Sequence, residues 1–208
     1  MSKINYFDKV ANQWDDMRKG FFPNQVREKA VELSKIKKGD VAADIGAGTG
    51  FISEILLEKG AHVIAVDQSV EMLFQLKKKF CCNSALTIKK GNDTNLPIDD
   101  NSVDFVFANM YLHHVENPQI AISEMVRILK PDGKLIITDL DEHKFDFLIT
   151  EQNDRWMGFK REDISNWFDK AGLSNVKIEC INENCCSTSQ DGKDNAEISI
   201  FIAEGIKK

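Results

Sequence analysis

The chain has 208 residues, 42% of them hydrophobic, which suits one domain with a full core, or one domain with a terminal extension. A formal net charge of −6 argues against a nucleic-acid-binding surface, which normally carries a basic face. No stretch approaches the ~18 apolar residues of a membrane span and the segment Met1–Asn5 has no apolar leader, so a cytoplasmic protein is expected.

Residues 1 to about 36 read as helical, with no strand signal; after Pro23, Val26, Ala30, Leu33 and Ile36 recur at helical spacing. From Lys37 onward strand-like and helix-like runs alternate, the pattern of a parallel sheet with helices on both faces. The strands are expected at 41–45, 62–66, 85–89, 103–108 and 134–140, with helices at 49–59, 70–80 and 118–130 between them. Ser69 is the natural N-cap of the second of these helices, and Asn117-Pro118 opens the third. Lys130-Pro131-Asp132-Gly133 reads as a turn. A helix at 161–171, a strand at 175–181, a polar loop and a strand at 196–203 close the chain. The loop is too short for a crossover helix, so the last two strands should pair antiparallel.

The densest chemical signal is Val41-Ala42-Ala43-Asp44-Ile45-Gly46-Ala47-Gly48-Thr49-Gly50. It reads as a strand that stops at a tight turn and launches a helix, with glycines free to take positive φ and to approach a ligand closely. A dinucleotide fingerprint needs G-x-G-x-x-G; here the third glycine comes one residue early. Asp44 would sit badly beside a pyrophosphate and well beside an amino group or a sulfonium, which points to S-adenosylmethionine. In an open α/β sheet, ligands bind outside the carboxyl ends of the strands. Asp67 ends the second strand, ~20 residues past the glycine turn, and its two acceptor oxygens suit a ribose diol. After the third strand comes Gly91-Asn92-Asp93-Thr94-Asn95-Leu96-Pro97, where a polar side chain could bond an adenine amino group while Leu96 packs on the ring. After the fourth comes Asn109-Met110-Tyr111-Leu112-His113-His114-Val115, where acceptor and reactive methyl would meet.

With Phe7-Asp8-Lys9-Val10-Ala11, Asp67-Gln68-Ser69-Val70-Glu71-Met72-Leu73, Asn101-Ser102-Val103-Asp104 and Leu129-Lys130-Pro131-Asp132-Gly133, these elements give the chain its likeness. Over about residues 5–175 it resembles the class I S-adenosylmethionine-dependent methyltransferases, in the subgroup of the ubiquinone/menaquinone C-methyltransferases. The resemblance implies a Rossmann-like, doubly wound α/β sheet of seven strands, the last antiparallel. It implies an S-adenosyl-L-methionine site with Asp44 and Gly46 near the methionine moiety, Asp67 at the ribose and Leu96 near the adenine. Ala47, Gly48, Gln68, Met72, Asn109, Tyr6 and Trp14 complete the expected cofactor-binding set. The family usually has an acid directly after the glycine at Gly91; here Asn92 stands there and Asp93 follows, so either could reach the adenine.

Methyl transfer from a sulfonium is an in-line displacement in which the protein mainly supplies orientation and a site drained of water. A base is needed only where the acceptor carries a proton; His113 and His114 are the candidates, with Tyr111 to orient a substrate carbonyl. The plainer alternative is that the His pair packs or caps its loop. Residues 1–36, rich in aromatics (Tyr6, Phe7, Trp14, Phe21, Phe22), are expected to form a helical lid on a methyltransferase domain at 37–208. The expected partner is a small-molecule substrate, without nucleic acid or metal, for a monomer or homodimer.

The five cysteines, with adjacent pairs Cys81-Cys82 and Cys185-Cys186, make a poor disulfide framework and fit a reducing compartment. Cys185-Cys186, placed in the loop after the sixth strand, raises the alternative of trivalent arsenic as the acceptor, since thiolates select soft ions. An alternative of another class is a non-catalytic sensor or partner subunit. An enzyme needs an acceptor-sized cavity lined from 109–114, the N-terminal helix and 183–195, whereas a sensor does not.

Overall fold

A computed structural model describes the backbone of residues 3–208, and the side chains from Tyr6 onward. Three helices come first: α1 (Lys3–Val10), α2 (Trp14–Phe21) and α3 (Gln25–Ser34). The α/β part then follows in the order β1 (Val41–Ile45), α4 (Phe51–Glu58), β2 (His62–Asp67), α5 (Val70–Lys79), β3 (Leu86–Lys90) and β4 (Val103–Asn109). Next come α6 (Pro118–Ile128), β5 (Leu129–Leu140), the short α7 (Phe147–Glu151), α8 (Arg161–Lys170), β6 (Leu173–Thr188) and β7 (Asn195–Lys207).

The seven strands form one sheet in the order β3-β2-β1-β4-β5-β7-β6. The first five are mutually parallel, and β7 runs antiparallel to both β5 and β6. Alternation along β4 shows why both faces are covered: Val106 and Ala108 enter one apolar cluster with Met125 and Phe168, while Phe107 enters the other with Val26, Ile52 and Leu56. The expected Rossmann-like sheet, its strands and its antiparallel end are all present. The expected caps are also present: Ser69 Oγ accepts from Met72 N at 3.1 Å, and Asn117 Oδ1 from Ile120 N at 3.2 Å.

Two local expectations are corrected, and one stretch without any sequence expectation is added. Residues 130–133 are a bulge inside β5 rather than an open turn: Leu129 already pairs with Val103, and Asp132 takes φ +63°. The stretch 141–160, which carries no periodic signal, folds over the strand ends and contains α7. Finally, β6 and β7 form a long hairpin, so Cys185 and Cys186 lie in a strand, opposite Ile198 and Glu197, and not in a loop. Beyond the register shift at 180–184 the inward positions are Cys185 and Ser187, in period two.

The junction of β1 and α4 explains where Asp44 goes. Gly50, at the N-cap of α4 with φ +93°, has no side chain to accept a hydrogen bond. Asp44 supplies the acceptor from the strand instead, taking Ser53 N at 2.9 Å and Ser53 Oγ at 2.6 Å while only 2% exposed. Burial, opposed by these two hydrogen bonds, pushes its pKa from the ordinary 3.8 up to about 6. The folded chain therefore holds this proton more tightly than the unfolded one. The corresponding stability is fully present below about pH 4 and is lost as the pH rises to about 6, a difference of about 3 kcal/mol. Urea unfolding between those pH values should show this decline in the ligand-free protein, and Asp44→Asn should flatten it; parallel curves for the two proteins would remove the assignment.

Candidate active site

The carboxyl ends of β1, β2 and β4 open into one cavity of about 1180 Å³, counting its mouth. Its floor is the glycine turn. Gly46 N and Ala47 N donate to Val66 O at 2.9 and 3.0 Å, which ties the turn to β2. A Cβ on Gly46, whose φ is +69°, would lie 2.2 Å from the Tyr111 ring, so only glycine fits beneath that ring. Asp67 stands at the wall: one carboxylate oxygen accepts from Gly48 N at 2.9 Å, the other from Ser69 N at 2.8 Å. Burial raises its pKa despite these hydrogen bonds, and the nearby Asp8 carboxylate adds to the rise. Each of its oxygens keeps a second lone pair for a ligand. Gln68, Met72, Leu96, Asn92 and Asn109 also face the cavity.

At the other end, the strand β4 leaves the sheet through Met110, which takes φ +49°, into a single 3-10 turn, Leu112–His114. Asp139, near the end of β5 and fully buried, organises this turn. Its Oδ2 accepts from Tyr111 N at 3.1 Å and Leu112 N at 2.8 Å, and its Oδ1 lies 2.7 Å from His113 Nδ1. The neighbouring His114 ring is 4.0 Å from that of His113, centroid to centroid. Asp154, buried, arrives from the segment after α7; His114 Nδ1 is 3.5 Å and His113 Nε2 3.8 Å from its Oδ1. Burial holds the Tyr111 hydroxyl well above the ordinary tyrosine range, with Asp93 and Asp67 adding to the effect.

The N-terminal helices cover both ends. Asp8 Oδ1 accepts from Ser69 Oγ at 2.5 Å, Asp15 Oδ1 from Thr49 Oγ1 at 2.6 Å, and Tyr6 donates its hydroxyl to Gln152 Oε1 at 2.9 Å. Phe7 sets its ring edge-on to Trp14 and to His114, with centroids 5.6 and 5.0 Å apart. The Trp14 Nε1 lies 3.6 Å from where a Gly48 Cβ would be.

Most of the residues expected at a ligand therefore share one cavity. Two do not line it. Asp44 is turned away into the start of α4, for the capping reason given above. Asp93 is half-buried off the wall, while Asn92 is on it; the Asn92 Oδ1 also closes its own turn, accepting from Asn95 N at 3.0 Å. The vicinal thiols are split by the strand alternation: Cys185 faces the cavity and Cys186 faces solvent, so the pair cannot grip one metalloid together. Burial first, then the Asp154 charge, pushes the Cys185 thiol up to about 12, away from a reactive thiolate. Sequence reasoning missed Asp139, Asp154 and Gln152. The strand-end rule that selects Asp67 also selects Asp139; Asp154 and Gln152 carry no such signal.

Residues 43–137 match the family model described as "Methyltransferase domain". A demethylmenaquinone methyltransferase of Paenarthrobacter aurescens is 34% identical over 136 residues, 64% of this chain and 53% of that protein. The chain thus spans about half the length of that relative. Among solved structures, an S-adenosylmethionine-dependent methyltransferase from Aquifex aeolicus superposes with a TM-score of 0.70 at 20% identity, covering 100% of both chains. The Haemonchus contortus phosphoethanolamine N-methyltransferase 2, solved with S-adenosyl-L-methionine, gives 0.73 at 18% identity over 87% of this chain and 52% of that one. These likenesses agree on the fold of the S-adenosylmethionine-dependent methyltransferases, and in sequence residues 43–137 are similar to a methyltransferase domain.

Proposed function

We propose that the chain transfers a methyl group from S-adenosyl-L-methionine to a small-molecule acceptor in the cytoplasm. The observation that carries this reading is the hydrogen bond from Gly48 N to Asp67, which aims a two-oxygen acceptor over a floor of bare backbone. In this reading Asp67 takes the ribose diol, Met72 and Leu96 hold the adenine, and Gly46, Ala47 and Gly48 leave room for the methionine moiety. Gln68, Asn92, Asn109 and Trp14 line the remaining wall, and Asp44 acts through the α4 cap instead of touching the ligand. The transfer itself needs few groups. The acceptor's lone pair forms the new bond to the methyl carbon, and the C–S pair returns to sulfur, which leaves as a neutral thioether.

The segment 1–36 acts as a lid on the domain at 37–208, with Tyr6 and Trp14 on its ligand side. The acceptor end is walled by Tyr6, Phe7, Tyr111, His113 and His114, a lining suited to a flat ring. The relatives named demethylmenaquinone methyltransferases support a ring compound as acceptor. An acceptor-sized space bounded by 109–114, the N-terminal helices and Cys185 and Ser187 is what an enzyme requires and a sensor does not. His114 is the group placed to relieve an acceptor of its proton, with His113 held in orientation by Asp139.

Calorimetric titration with S-adenosyl-L-methionine tests the cofactor directly, and absence of binding would overturn this reading. Asp67→Ala should weaken that binding by about 1.5–3 kcal/mol, the range for hydrogen bonds to charged groups; an unchanged affinity would free the ribose from Asp67. His114→Ala should leave the cofactor bound and lower turnover of a protonated acceptor about 10²–10⁴-fold. Full activity in that variant would move proton transfer elsewhere.

A further inference from the structure

The two imidazoles and the Asp154 carboxylate converge at the acceptor end. One ring nitrogen of His113, one of His114 and one carboxylate oxygen of Asp154 lie within 4.8 Å of one another. Their distances to Asp154 Oδ1, 3.8 and 3.5 Å, exceed the roughly 2.9–3.0 Å of an N–H···O bond. Ligands around a shared ion are held farther apart: tetrahedral bonds of about 2.0–2.1 Å place their donor atoms about 3.4 Å from each other. His114 and Asp154 already meet that spacing, and His113 Nε2, 3.8 Å from the same oxygen, comes near it.

Three further features fit the same arrangement. His113 engages the fully buried Asp139 through Nδ1, which leaves Nε2 directed at Asp154; a carboxylate on the far ring nitrogen is the usual support of a metal-binding histidine. The backbone carrying Asp154 is docked on the same turn, since Arg155 N and Trp156 N both donate to His113 O, at 2.9 and 3.2 Å. All three side chains also line the cavity, so an ion held between them would keep a coordination position facing the acceptor.

We propose that His113, His114 and Asp154 form a binding site for a divalent transition-metal cation, with an open position for an acceptor hydroxyl. Two imidazoles and one carboxylate suit zinc, iron or cobalt better than magnesium or calcium, which prefer oxygen ligands throughout. The inference rests on the acceptor-end reading above and adds how the acceptor would be activated. A hydroxyl held there would be acidified by the cation, as metal-bound water is near neutral pH, so that solvent could take the proton in place of His114, whose role would then be to hold the ion.

The test uses tag-free full-length protein stripped with a chelator and titrated with Co²⁺. One equivalent should bind with a visible d–d absorption band, and Zn²⁺ should displace it. His114→Ala and Asp154→Asn, each with unchanged circular dichroism, should lose the band and bind Co²⁺ at least about 10–100-fold more weakly. Wild-type protein without the band, or both variants binding Co²⁺ as it does, overturns the site; adventitious binding at the exposed Cys81 and Cys82 would give the second result. Cofactor calorimetry on the same preparation separates the two readings. Cofactor binding without cobalt binding sinks only the metal site, and cobalt binding without cofactor binding sinks the methyl-transfer reading while the site stands.

Discussion

Gly46 carries no Cβ, and the open end of the sheet is built around that absence. The Tyr111 ring occupies the space a side chain would fill, so the turn after β1 and the turn after β4 interlock by ring against backbone. The contact fixes the spacing between the floor of the cavity and its acceptor end. It also explains the positive φ at Met110: the chain has to kink sharply out of β4 to lay the next ring across the turn.

Carboxylates do the rest of the alignment. Asp44, Asp67 and Asp139 stand at or near the ends of β1, β2 and β5, and each accepts backbone N–H groups from a turn that begins elsewhere. An ionised carboxylate is an acceptor with two oxygens, so one side chain can pin two peptide groups at once. Asp44 has both hydrogen bonds on one residue, Ser53. Asp67 also lines the cavity, so one of the groups that position the site belongs to it, while Asp139 stays fully buried behind His113. A cluster of buried acids at strand ends is costly for folding, and the N–H groups at these helix and turn starts offset much of that cost.

The period-two strands, the caps at Ser69 and Asn117 and the glycine turn were all legible in the sequence, because each is dictated by near neighbours in the chain. The antiparallel end was legible too, from loop length alone. The acceptor end was legible only in part. His113 and His114 follow a strand and draw attention, but Asp154 comes from 141–160, where no periodicity marks which side chains turn inward. The orientation of Asp44 depended on a helix N-cap with no side chain, a consequence of Gly50 that lies six residues further on. Cys185 and Cys186 misled because a pair adjacent in sequence is separated once the strand extends through it, and the length of a hairpin is decided by its partner strand.

Between Tyr6 and Phe21, only Ala11 and Arg18 are buried, so the N-terminal helices rest on the body through hydrogen bonds and ring edges more than through aliphatic packing. Asp8, Asp15 and Tyr6 account for three of those bonds, each worth roughly 0.5–1.5 kcal/mol net. Both ends of the cavity lie beneath the same two helices. Under the lid reading proposed above, cofactor and acceptor would share one doorway.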